Sequence, residues 1–237
     1  MQKIILFILF EIFSLCMFAQ RTAPVSTLTP PITISPNIID ELFKGQHFNS
    51  NYDATINGTP FMFGDWKNGQ VITDNGNKFF VSKINFDASR SVFVFLKNDS
   101  LYDVDEKINE IIIYKNDQNE NKESNMVFQK NILPDLKNFI QVLVQGNITI
   151  VRKFNKQVEG ENYTNGIVTN KKEYVLHFED YAIVNNKLVS FNYNNNGLND
   201  LVTDKSSAIN SYVKLNNLKL KKQSDFLKSI EYYNSLN

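Results

Sequence analysis

The runs Val71-Ile72-Thr73 and Lys78 to Phe86 stand on either side of Asp74-Asn75-Gly76-Asn77, and this arrangement limits the fold more than any other stretch. Asn-Gly accepts positive φ at both central positions, which a tight hairpin turn demands and most residues resist. The flanks carry β-branched and aromatic residues suited to a pleated, half-buried strand. The pattern then recurs. Phe86-Asp87-Ala88-Ser89-Arg90 turns the chain into Val92 to Leu96, and Ile111 to Tyr114 follows a polar loop around Asp103 to Glu106. Phe139 to Val144 leads through Gln145-Gly146-Asn147 into Ile148 to Phe154. Beyond a polar loop from Asn155 to Lys172 come Tyr174 to Phe178, Tyr181 to Val184 and Leu188 to Tyr193, with Asn185-Asn186 as another tight turn.

The period changes near the end. Ala208, Ile209, Tyr212 and Val213 fall at helical spacing after a cap at Asp204 or Ser206. Phe226, Leu227, Ile230 and Tyr233 do so after Ser224 or Asp225. The expected fold is mainly β (α+β): antiparallel meander sheets, arranged as a sandwich or an open barrel, with two short C-terminal helices packed on a sheet face. Residues 115–125 contain no apolar side chain before Met126 and divide a β-rich region 37–237 into halves 37–114 and 126–237. A further short helix, capped by Asn37 and closed by Gly45, opens that region.

Before it lies an address. Lys3 gives a basic start, Ile4 to Phe18 is apolar apart from Glu11 and Ser14, and Ala19 suits the position before a cleavage. Residues 1–19 therefore read as a secretory signal peptide. Residues 20–36, with Pro24, Pro30, Pro31 and Pro36, read as an extended tether. Cys16 is the one cysteine, and Leu15 before it is too large for a lipid-attachment site. The expectation is an exported chain, periplasmic or extracellular, whose mature form has no cysteine, disulfide or transmembrane segment.

Composition narrows the partners. The 237 residues balance 25 Lys+Arg against 25 Asp+Glu. Nucleic acid is not expected as a partner, since a polyanion is held by clustered basic excess. The same balance argues against a polybasic grip on anionic lipid. The chain is rich in asparagine, a bias read here as compositional, so motifs built on Asn are discounted.

Few constellations suggest chemistry. The nucleophile elbow, the zincin helix motif, the phosphate-binding loop and the dinucleotide fingerprint do not occur, and no cofactor is called for. His47 and His177 are the two imidazoles. Alternation places His177 and Glu179 on one face of a strand, where a carboxylate can orient an imidazole, although a solvated edge is the plainer account. Asn192 to Gly197 follows the spacing of a calcium loop but offers neutral amides where carboxylates are needed, so a hairpin connection is expected. Asp103, Asp105, Glu106 and Glu110 form an acidic cluster. Asp103, Asp105 and Glu106 are the weak candidates for a metal, beside the reading of a solvated loop. Asp99-Ser100-Leu101 matches a short O-glycosylation pattern, which makes Ser100 a weak candidate for modification. Lys219-Leu220-Lys221-Lys222 forms a small basic patch between the last two helices.

Several segments resemble a family of uncharacterised secreted or periplasmic proteins of Bacteroidota. They are Gly58-Thr59-Pro60-Phe61, Asp65-Trp66-Lys67-Asn68-Gly69-Gln70-Val71, Lys83-Ile84-Asn85-Phe86-Asp87, Phe139 to Gly146, and the closing Tyr232-Tyr233-Asn234-Ser235-Leu236. The resemblance implies export and a β-rich fold and carries no activity. Read as bare residues, Gly69 closes a turn into Val71, and Trp66 is a core anchor or a surface aromatic. The leading expectation is a non-catalytic binding or scaffolding protein of the envelope, whose partner is another envelope protein or a glycan. Two alternatives stand beside it: a small hydrolase or glycan-active enzyme using paired carboxylates, and a carrier with an apolar cavity lined by its many Phe side chains.

Overall fold

A computed structural model describes residues 47–48, 53, 55–104, 107–115, 125–160, 163–164, 167–168 and 171–236. The expected leader, Cys16, the tether, the helix after Asn37, and both Asp105 and Glu106 lie outside the described residues.

The chain is mainly β, as its alternating runs and turns imply. Its strands are β1 (His47–Phe48), β2 (Lys67–Thr73), β3 (Lys78–Asp87), β4 (Val92–Lys97), β5 (Ser100–Asp103), β6 (Ile108–Ile113) and β7 (Met126–Gln129). There follow β8 (Ile140–Val144), β9 (Ile148–Glu159), β10 (Tyr163–Thr164), β11 (Ile167–Val168), β12 (Glu173–Val184) and β13 (Lys187–Ser190). Helices α1 (Asn195–Leu201), α2 (Ser206–Leu215) and α3 (Gln223–Ser235) complete it. Eleven strands form one antiparallel sheet in the order β1-β5-β4-β3-β2-β6-β7-β8-β9-β12-β13, while β10 and β11 pair with each other. Because β6 pairs with β7, one sheet runs from residues before 116–124 into those after.

The sheet is neither two layers cut from separate meanders nor a closed barrel. It curls. Five strand steps separate β3 from β9, which is about 24 Å in a flat sheet, yet the rings of Phe86 and Phe154 stand 6.5 Å apart. Phe86, Phe93, Phe128 and Phe154 fill the curl, with Phe93 and Phe128 edge to face at 5.0 Å. Lys156 N–H of β9 donates to Ala88 O just past the end of β3, and Met62 N–H, in the segment before β2, donates to Phe86 O of β3. A second core lies between the helices and one face of β8, β9 and β12, where Ile148, Ile150 and Ala182 meet Leu198, Ile209, Phe226 and Ile230. The opposite face of these strands buries Val151 and Ile183 against Leu133 and Ile140. No helix among the described residues is long and apolar enough to cross a membrane.

Several local expectations are corrected. Ser100–Asp103 is a strand rather than the start of a loop, because Asn98 and Asp99 at φ 49° and 58° make a tight turn out of β4. Met126–Gln129 is a strand that its four residues did not mark. Tyr174 to Val184 is one strand, not two, since Asp180 stands directly opposite Arg152 and is held within the ladder. For the same reason β9 runs on through the polar residues to Glu159, paired with β12 along its whole length. The connection expected at Asn192 to Gly197 is a third helix: the Asn194 side chain caps α1 by accepting the Gly197 N–H at 2.9 Å. The helices α2 and α3 occur where the spacing puts them, but their caps are Lys205 and Lys222, with no side-chain cap bond. Gly69 sits inside β2 rather than in a turn, and a Cβ there would stand 2.5 Å from Ile112 O. Trp66 is half-buried with its ring 5.5 Å from Phe61.

Candidate functional site

Three chain turns meet at one end of the β8–β9–β12 surface and enclose a cleft of about 670 Å³. Gly146-Asn147 joins β8 to β9, Asn185-Asn186 joins β12 to β13, and Thr203-Asp204 joins α1 to α2. Each turn has a local cause. Asn185 and Asn186 adopt φ 51° and 58°, the left-handed pair a two-residue hairpin requires. The Thr149 hydroxyl donates to Gly146 O at 3.0 Å and closes the turn before β9. Asp204 accepts the Tyr233 hydroxyl at 3.0 Å, which fixes the α1–α2 link to α3.

The lining mixes apolar side chains, Ile132, Ile183 and Leu201 among them, with polar ones from the three turns. The side chains of Asn147, Asn185, Asn186 and Thr203 make no hydrogen bond to another described residue. Asp204 is the sole carboxylate among the described lining residues, which include no Lys, Arg or His. The sequence marks these positions only as turns. Their convergence comes from β9, which brings its start beside the end of β12.

A second feature lies along β12. β9 covers one side of this strand throughout, whereas β13 covers the other only from Tyr181 to Val184, and Asn57 bridges it at Glu173. Tyr174 donates its N–H to Asn57 O, away from β9. By the two-residue period, Leu176, Phe178 and Asp180 also aim their backbone groups away from β9. No strand among the described residues pairs with them there. On the face these residues share, Leu176 is 37% and Phe178 55% exposed, beside Val158 of β9 at 42%.

Below this edge lies a polar network. Arg152 donates to both oxygens of Asp180 at 2.7 Å, and its guanidinium stacks 3.9 Å from the Phe178 ring centroid. Tyr193 donates its hydroxyl to Asp180. The bonds to Asp180 push the Arg152 pKa further up, and burial, followed by the bond to Asp180, raises that of Tyr193.

The residues singled out from the sequence are dispersed. His177 and Glu179 share a strand face, but the His177 ring meets Glu159 of β9 at 2.6 Å, both half exposed, while Glu179 accepts the Tyr181 hydroxyl and raises its pKa. Asp103 takes both terminal nitrogens of Arg90, at 2.8 and 3.0 Å, while Asp87 takes Nε at 2.8 Å. Burial opposes the charge on Arg90, yet the bonds to Asp103 and Asp87 leave its pKa raised. Among the described residues no group of three or more His, Cys, Asp or Glu side chains gathers to hold a metal. Ser100 begins β5 opposite Lys97, half-buried. In the basic patch, Lys219 gives its N–H to Asp225.

No protein-family model, curated protein or solved structure matches this chain.

Proposed function

We propose that this is an exported, non-catalytic binding protein of the cell envelope that takes an extended segment of another envelope protein along the open edge of β12. One observation carries the reading: Leu176, Phe178 and Asp180 aim backbone donors and acceptors into a lane bounded by Asn57 and Ser190. Strand addition supplies affinity through main-chain bonds and selectivity through alternate side chains. The partner strand carries an apolar residue beside Phe178 and a basic residue on the opposite face, where Glu159, Glu173 and Glu179 outnumber Lys153. Export rests on the first twenty residues. The curl interior is filled by phenyl rings, which favours a surface partner over an enclosed apolar ligand.

Proline tests the edge. The Phe178 N–H points away from β9, so Phe178→Pro removes a donor to the partner without removing a ladder bond. A photo-crosslinking residue at Val158 is expected to give one dominant adduct with an envelope protein, which Phe178→Pro abolishes while the far-UV spectrum stays unchanged. Persistence of the adduct in Phe178→Pro removes the edge as the contact.

A further inference from the structure

We infer that the cleft between Asn147, Asn185-Asn186 and Thr203-Asp204 binds a neutral oligosaccharide, independently of whether the β12 edge takes a partner. The chemistry of the rim selects the ligand class. Carboxamides and hydroxyls both donate and accept, which matches sugar hydroxyls that do the same. Asn147, Asn185, Asn186 and Thr203 bring such groups to one cleft with no described partner of their own. Asp204 keeps one oxygen beyond the bond from Tyr233, an acceptor for a hydroxyl donor.

The same rim disfavours other ligands. A phosphate or a carboxylate is held by cationic side chains, and the described lining has none. A divalent cation calls for several hard oxygen ligands carrying negative charge, and Asp204 is the single carboxylate of the described lining. A purely apolar ligand would leave the amides dehydrated and unpaired. A pyranose has what the cleft asks for: hydroxyls to meet its amides, and C–H groups to meet the apolar part of its lining, Ile132 included. The volume, about 670 Å³, falls within the range of small-ligand clefts.

The walls are also set in advance. The Thr149 hydroxyl closes one turn, the pairing of Val184 with Lys187 closes the second, and Tyr233 anchors the third. A site whose walls do not have to order on binding retains more of its contact energy as affinity.

The test is titration of the ¹⁵N-labelled chain with maltotriose, cellotriose, chitotriose and mannotriose. Inorganic phosphate, galacturonic acid and a tetra-alanine peptide are titrated in parallel. At least one neutral trisaccharide is expected to shift the side-chain amide signals of Asn147, Asn185 and Asn186 in a saturable way. The Asn186→Gly variant keeps a residue suited to positive φ, so its turn survives while one amide is lost. It is expected to weaken that binding roughly tenfold at an unchanged melting temperature. Silence of these amides toward all four sugars overturns the inference. So does saturable binding of phosphate, galacturonic acid or the peptide in their place, or sugar binding that Asn186→Gly leaves untouched.

Discussion

The Asn234 side chain bonds to both backbone groups of Ile148, accepting its N–H at 3.0 Å and donating to its carbonyl at 2.8 Å. One carboxamide thus stands in for a neighbouring strand and ties the end of α3 to the start of β9. Gly146 makes room for it, since a Cβ there would lie 2.4 Å from the Asn234 side chain. Asn234→Ala is expected to cost about 1–3 kcal/mol, because it leaves buried backbone groups without partners. Gly146→Ala displaces the same amide and is expected to cost a similar amount. A double-mutant cycle in denaturant checks the link: the double variant is expected to be little worse than either single one.

Asn85 uses the same device at the curl. It accepts the Phe63 N–H at 3.2 Å, donates to Phe63 O at 3.0 Å, and is 2% exposed. Asn85→Ala is expected to lower stability by about 1–3 kcal/mol and to speed hydrogen exchange at Phe63. Loss of stability without faster exchange there would place the effect elsewhere.

Arg152 and Asp180 are 15% and 6% exposed at their side chains. Removing one partner strands the other, so Arg152→Ala is expected to cost about 3–5 kcal/mol. Arg152→Met combined with Asp180→Leu and Tyr193→Phe, which leaves no hydroxyl stranded, is expected to recover most of the loss, as measured by urea midpoints at constant slope.

Tyr193 titrates beside that pair with a raised pKa. The unfolded chain releases the tyrosine proton near pH 10.0 while the folded chain still holds it. The contribution is therefore complete below pH 10.0 and declines as pH rises above it. Tyr193→Phe is expected to flatten that part of the decline in unfolding curves taken between neutral pH and the alkaline range. An equal alkaline decline in both proteins would sink the assignment.

Phe128 is fully buried and lies 5.4 Å from Phe86, 5.0 Å from Phe93 and 6.2 Å from Phe154. Phe128→Ala is expected to cost about 3–5 kcal/mol, and Phe128→Leu clearly less, because the smaller cavity leaves fewer ring contacts unmade. Thermal melts of both variants check the order.

The hairpins and the last two helices were legible because their signals are local. Asn185 and Asn186 both take the positive φ that such a pair permits, whereas in Asn75-Gly76 only Gly76 does, and the Thr73 N–H bonded to Asn77 O closes that turn. Ile209, Phe226, Ile230 and Tyr233 are buried at the helical spacing that marked them. Discounting asparagine as compositional misjudged Asn85, Asn194 and Asn234, whose amides satisfy backbone groups. Two of these three bonds span distant parts of the chain, so composition could not reveal them. The candidate cleft was less legible still: its turns were visible one by one, and their meeting was not.

By itself, then, the sequence determined the strongly alternating strands, several of the reversals between them and the last two helices, since each depends on dihedral preference and side-chain period over a few residues, whereas Met126–Gln129, the polar half of β9 and α1 escaped it. Only the tertiary structure decided that one sheet curls until Phe86 meets Phe154, that Asn234 reaches Ile148, and that no strand among the described residues covers the β12 edge from Leu176 to Asp180. Those outcomes depend on which distant surfaces pack together, and a linear pattern of apolar and polar residues is compatible with several such packings.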